Sequence, residues 1–120
     1  SAHKCVNYVM DCINEVANVV YAESRGEGEK GMNAVVHIIM NRSKKEGVKP
    51  CIIVKRRNQF TKGISRPKDP VWQKARQMVL RPGKDFTYGA TYFHNHTVRP
   101  SWSYKFKITL KLGNHIFYKP

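Results

Sequence analysis

From Val6 to Val20, apolar side chains return at every third or fourth position: Val6, Val9, Met10, Ile13, Val16, Ala17 and Val20, with Asn7, Asp11, Asn14 and Asn18 between them. This is the period of a helix with one buried face, and it commits the first part of the chain to helical packing. The pattern runs through Tyr21-Ala22-Glu23 and stops near Gly26, a natural helix terminator. Glu27 to Gly31 then reads as a polar, glycine-punctuated turn. A second stripe (Met32, Val35, Val36, Ile39, Met40) predicts a helix over about 32–45, ended by Gly47 and Pro50. Cys51-Ile52-Ile53-Val54 is a short buried run, residues 61–70 read as loop, and Pro70 opens a third helix through Val79 that Pro82-Gly83 breaks.

Beyond Gly83 the helical period fades. Thr91 to Phe93, Phe106 to Leu110 and His115 to Tyr118 are short and rich in aromatic or β-branched residues, which predicts small strands or extended loops. With no repeat, linker or low-complexity tract, residues 1–120 read as one α+β domain, mostly α, expected to act as a monomer. No apolar run approaches the ~20 residues that span a bilayer. The opening Ser1-Ala2-His3-Lys4 has no hydrophobic core after it and so is not an intact signal peptide, which leaves localisation open. Cys5 and Cys12 stand two helical turns apart, about 10 Å and too far for a bridge. Three buried thiols is the expected state, in preference to a disulfide involving Cys51.

The net charge of +14 is distributed unevenly. Residues 1–41 hold five acids against Lys4, Arg25 and Lys30, a net −2, whereas residues 42–120 hold 19 bases against Glu46, Asp69 and Asp85, a net +16. Such a field draws a protein to a polyanion: nucleic acid, an anionic membrane surface or a bacterial wall. The Lys55-Arg56-Arg57 run is expected to set the salt dependence of that binding.

Among the acids, Glu23 has the setting that proton donation needs. A carboxyl at the end of an apolar helix is desolvated, and desolvation raises its pKa toward neutral pH. Its competing reading is a solvated carboxylate at a helix terminus. Glu27, four residues on, is a candidate second carboxylate of a glycosidase pair or equally a structural hydrogen-bonding group. His94-Asn95-His96 invites a metal reading, but an isolated pair is weak support, and no metal or cofactor is expected. The late aromatics among bases, Tyr92, Phe93, Trp102, Tyr104 and Phe106, suit stacking on either nucleobases or sugar rings.

These residues resemble a known pattern. Tyr21-Ala22-Glu23-Ser24-Arg25-Gly26-Glu27 is similar to the Tyr-Gly-Glu-Ala-Arg-Gly-Glu signature of the SleB/CwlJ-type cell-wall hydrolases, named for spore-cortex-lytic enzymes. The likeness continues through Gly31, Ala34 to Met40 and Asn41-Arg42. It resumes at Gln59-Phe60, at Ala90 to His94, at Pro100-Ser101-Trp102 and at Leu112 to Phe117. Ser24 stands where that family usually has Ala, although Glu-Ser is the pairing in many lytic transglycosylases.

The resemblance implies a lysozyme-like, lytic-transglycosylase-type fold with Glu23 as catalytic acid. It implies cleavage of peptidoglycan glycan strands between N-acetylmuramic acid and N-acetylglucosamine, with a groove lined by Phe60, Tyr92, His94, Asn95 and Trp102. His115 is expected to be structural. The +16 segment is expected to stand in for a wall-binding domain by attracting anionic wall polymers, as suits a small phage-type lysin or virion-associated enzyme acting on the bacterial wall. Simple hydrolysis by the same fold, as a muramidase or glucosaminidase with Glu27 or Glu29 directing water, is the nearer alternative. A non-enzymatic basic module for nucleic acid or for the wall is the remoter one; it accounts for the charge but not for the Glu-x-Arg-Gly-Glu block, and nucleic acid is not the expected partner.

Overall fold

The computed structural model describes residues 2–120, with side chains from Lys4 onward; Ser1 of the opening read above lies outside the described residues. Helix α1 spans Ala2–Ser24, α2 Gly28–Glu46, α3 Pro50–Val54 and α4 Pro70–Leu80. Strands β1 (Tyr92–Asn95), β2 (Lys107–Leu112) and β3 (His115–Lys119) form an antiparallel sheet in the order β1-β3-β2, and a 3₁₀ turn at Ser101–Tyr104 precedes β2.

Helix α2 is the centre of the molecule. Met32 and the run from Ala34 to Ile39 are buried on every side, as befits a helix enclosed all round rather than one with a single wet face. Met32, Val35, Val36 and Ile39 join Val16, Ala17, Val20 and Tyr21 of α1 with Ile53, Trp72, Ala75 and Val79, forming the larger core cluster. Ala34 and Ile38 turn the other way, toward Ala90 and Phe117. Phe60 and Phe93 pack against both clusters and join them.

The caps match the sequence signals. Gly47, at φ +68°, ends α2 with its N–H on the Ser43 carbonyl. Pro70 takes the first position of α4, where Asp69 accepts from the Val71 N–H at 2.9 Å. Helix α2 begins at Gly28, four residues before its apolar stripe, because Glu27 enters helical geometry without using its side chain as a cap. In β2 the register slips between Ile108 and Leu110, so Thr109 is bulged out of the ladder.

Several expectations fail, among them the burial of Ile52, which stays 46% exposed on α3, and the turn over 27–31, most of which is the first turn of α2. The apolar stripe of α1 is buried only from Val16 onward; Val6 and Val9 remain 58% and 59% exposed because α1 overhangs the elements that pack on its later turns. The cysteines are not three buried thiols: Cys12 and Cys51 form a disulfide across a Cα separation of 5.1 Å, and Cys5 is exposed. Position along the chain hid this bridge, because α3 is carried back against α1 by helix packing that spacing does not reveal.

The bridge closes a loop of 39 residues, which on chain-entropy grounds stabilises the fold by about 4 kcal/mol. A Cys12→Ser/Cys51→Ser variant is therefore expected to unfold at clearly lower urea concentration than the parent protein. Dithiothreitol should bring the parent down to the level of the variant. Identical midpoints for parent and variant in oxidising buffer would show that the bridge carries no stability.

Candidate active site

Glu23 sits in the last turn of α1, half-buried. Its neighbour Ser24 is buried and turns its hydroxyl back to the Val20 carbonyl at 2.6 Å, so it fixes the helix end and is not free for chemistry. The segment between α3 and α4 runs back along this end of α1 and is fastened at several points. Thr61 N–H donates to Glu23 Oε1 at 2.6 Å, and Ile64 N–H to the Asn18 carbonyl at 3.0 Å. Asn18 Oδ1 also accepts from the Trp72 indole at 2.9 Å. The approach is close enough to require Gly63, where an added Cβ would lie 2.8 Å from that of Asn18. Below, the Tyr21 hydroxyl donates to Asp69 at 2.5 Å while the Arg25 guanidinium lies 5.3 Å from the Tyr21 ring centroid.

This fastening sets the electrostatics. Burial pushes the Glu23 carboxyl above its ordinary pKa, and the single Thr61 N–H bond pulls it back only in part. Glu27 is the opposite case. Burial alone would raise its pKa too, but Asn114 donates both its backbone N–H (2.7 Å) and its side-chain amide (3.0 Å), and His115 and His96 add favourable charge. The net effect holds Glu27 below the ordinary carboxylate range. His115 Nδ1 lies 3.8 Å from Glu27 Oε1 with no hydrogen-bond partner, and burial lowers its pKa despite the Glu27 charge.

Phe60 precedes Thr61, whose N–H reaches Glu23, and its ring lies 6.3 Å from that of Phe93. The Arg42 guanidinium spans from Phe60 to Tyr92, at 5.1 and 4.6 Å from their centroids, and donates to Gln59 at 2.9 Å and to the Thr91 carbonyl. The other predicted residues gather on the far face of the sheet. Tyr92 and His94 alternate with Phe93 along β1 and meet Trp102, Phe106 and Tyr118 there. His94 is buried with both ring nitrogens engaged, one on the Asn95 carbonyl and one on the Tyr118 hydroxyl, each at 2.8 Å. Asn95 is exposed and its Oδ1 accepts from the N–H and hydroxyl of Thr97, closing the turn after β1.

Two participants were beyond side-chain reasoning. The Thr61 donor is a backbone group in a loop, and no residue identity announces it. Arg42 was legible only as part of the Asn41-Arg42 block; its placement between two rings depends on β1 lying beside α2.

A mostly helical fold with a small three-stranded sheet is lysozyme-like in architecture. A family model described as Cell Wall Hydrolase matches residues 26–118, and this chain belongs to that family. The catalytic domain of the Bacillus cereus SleB protein superimposes with a TM-score of 0.77 at 30% identity, covering 92% of this chain and 91% of that one. The catalytic domain of a germination-specific lytic transglycosylase, SleB from Bacillus anthracis, does so with a TM-score of 0.70 at 29% identity, over 90% and 93%. None of the curated proteins compared with the chain matches it. The family match opens at Gly26, so it includes Glu27 but not Glu23, and the reading of Glu23 stands on its geometry and its signature block.

Glu27→Gln is expected to cost about 1–3 kcal/mol at neutral pH, because the amide offers one acceptor oxygen where two were bonded to Asn114. The folded pKa of Glu27 is depressed, so its contribution is present above the unfolded carboxyl value and is lost as pH falls through the folded one. Urea unfolding of parent and variant should therefore converge in acid. Equal stability at pH 7 would show that the Glu27–Asn114 bonds carry no stability.

Proposed function

We propose that this protein cleaves peptidoglycan glycan strands between N-acetylmuramic acid and N-acetylglucosamine, as a lytic transglycosylase with Glu23 as acid and then base. The observation that carries the reading is the half-buried Glu23 carboxyl with its raised pKa, in a member of the cell-wall hydrolase family. Protonated Glu23 gives its proton to the bridging oxygen as the bond from that oxygen to the muramic C1 breaks. The resulting centre is oxocarbenium-like. The muramic 6-hydroxyl attacks C1, its proton returns to the Glu23 carboxylate, and a 1,6-anhydro end forms with no water consumed.

Glu27 supports this single-carboxyl mechanism by its engagement elsewhere, since both of its oxygens are held by Asn114. Hydrolysis with Glu27 directing water is the second reading, favoured by its ionised state. Phe60, next in the chain to Thr61, offers a ring that Arg42 links to the wall of Tyr92 and Trp102. His94 and Asn95 belong to the same wall, His94 through its bonds within the aromatic cluster and Asn95 at its rim. The Cys12–Cys51 disulfide suits work outside a reducing cytoplasm.

Glu23→Gln is expected to abolish release of muropeptides from purified sacculi. Its melting temperature should be equal or higher, because a group whose folded pKa is raised costs stability once it ionises. In the parent protein kcat should fall as pH rises through the Glu23 pKa, an alkaline limb above the ordinary ~4.3 of Glu. Mass spectrometry of the products separates anhydro from hydrated ends. Residual lysis above a few per cent in a folded variant would move the acid elsewhere. Chelator should leave turnover unchanged, since both His94 nitrogens are already committed; loss on EDTA treatment with recovery on zinc would refute this.

A further inference from the structure

Two shallow clefts adjoin where the last turn of α2 meets the end of the sheet at which β1 and β2 begin and β3 finishes. One, of about 450 Å³, is lined by Lys44, Lys45, Thr91 and Lys119; the other, of about 370 Å³, by Tyr88, Lys107, Thr109 and Lys119, with Lys119 and Pro120 common to both. Lys107 and Lys119 are cross-strand partners in register, an arrangement of like charges that destabilises a sheet. Among the described residues, none of the four lysines has a carboxylate within ion-pair reach; Glu15, Glu29 and Glu46 pair instead with Lys55, Lys74 and Arg56. Asp85, beneath the first cleft, is taken by four hydrogen bonds from Asn41, Thr87 and Gly89. Each cleft is also lined by a threonine whose hydroxyl is buried without a partner: Thr91, only 6% exposed, and the bulged Thr109.

We propose that these clefts form a binding track for a linear polyol-phosphate polymer of the cell envelope, an assignment that rests on the wall-directed reading above. Uncompensated lysines strung along two joined clefts fit a chain with repeated charges better than a single anion. Lysine is a compact, strongly hydrated point charge that binds phosphate without a bidentate fit, which suits a flexible chain whose phosphates present no fixed orientation. A nucleic-acid strand would call for successive stacking rings, and the track offers only the exposed ring of Tyr88. The assignment also relocates the wall affinity expected of the Lys55-Arg56-Arg57 run, in which Lys55 and Arg56 are already paired with acids.

The test is titration of the full chain with synthetic poly(glycerol phosphate) at several salt concentrations. Lys107→Gln/Lys119→Gln should weaken binding by about tenfold and flatten its salt dependence, as loss of two phosphate contacts requires. Lys55→Gln/Arg57→Gln removes the same charge away from the track and should weaken it less than about twofold. Equal losses in the two variants would reduce the track to net charge and overturn the proposal. Equal affinity for single-stranded DNA of matched phosphate number, lost in the same lysine variant, would overturn it in favour of nucleic acid. The lysine variant should also melt no lower than the parent, which separates lost binding from lost fold. Cleavage of polymer-free glycan fragments is measured alongside. Its absence in the parent would sink the Glu23 reading and leave the binding result standing.

Discussion

A carboxylate near the end of the first helix and a turn 87 residues later hold the helical and strand portions of this molecule together. Glu27 receives both donors of Asn114 and faces His115, so the β2–β3 turn is drawn onto the α1–α2 turn. The backbone on each side is shaped around it. An added Cβ at Gly31 would lie 2.5 Å from the Glu27 Cβ, and one at Gly113 2.7 Å from its Oε1. Gly113 also needs its left-handed φ of +57°. A carboxylate this enclosed is tolerable only with its hydrogen bonds made. The same commitment explains why α2 starts early and without a side-chain cap.

Four residues separate two carboxyls with opposite electrostatics, and the difference lies in the number of donors each receives. Glu23 is desolvated and has one backbone N–H; Glu27 has two donors on its carboxylate and imidazoles nearby. A carboxyl with a raised pKa and one with a lowered pKa are thereby made from the same residue type within one turn of chain. The aromatic network extends the division of labour. Phe60, Phe93 and Phe117 fill the face of the sheet toward the helices, while Tyr92, His94, Trp102 and Tyr118 fill the other, and Arg42 bridges the two at their edge.

The helices were legible because burial repeats with the helical period, and their ends because Gly47, Pro70 and Pro82 are unambiguous punctuation. The strands were legible only in outline, since a bulge at Thr109 and a crossing from β1 to β3 leave no periodic trace. Glu23 could be singled out from its apolar helix and its signature block. What the sequence withheld were contacts made by packing: the Thr61 donor, the closeness of Cys12 to Cys51, and the separation of Phe60 from the Tyr92–Trp102 wall. The apolar stripe of α1 misled in its first two turns, because periodicity records a face but not whether a neighbour reaches it.

That overhang has a consequence for motion. Residues 4–11 of α1 are exposed, whereas Val16 to Tyr21 are sealed apart from Asn18 and tied to the α3–α4 loop. Backbone amides in the first turns can open without disturbing the core, and those near Glu23 can open only with it. A single continuous helix thus spans the range from local fraying to global unfolding, with the Cys12 bridge standing at the boundary. Glu23 lies at the sealed end, so breathing of the helix tip does not reach its carboxyl.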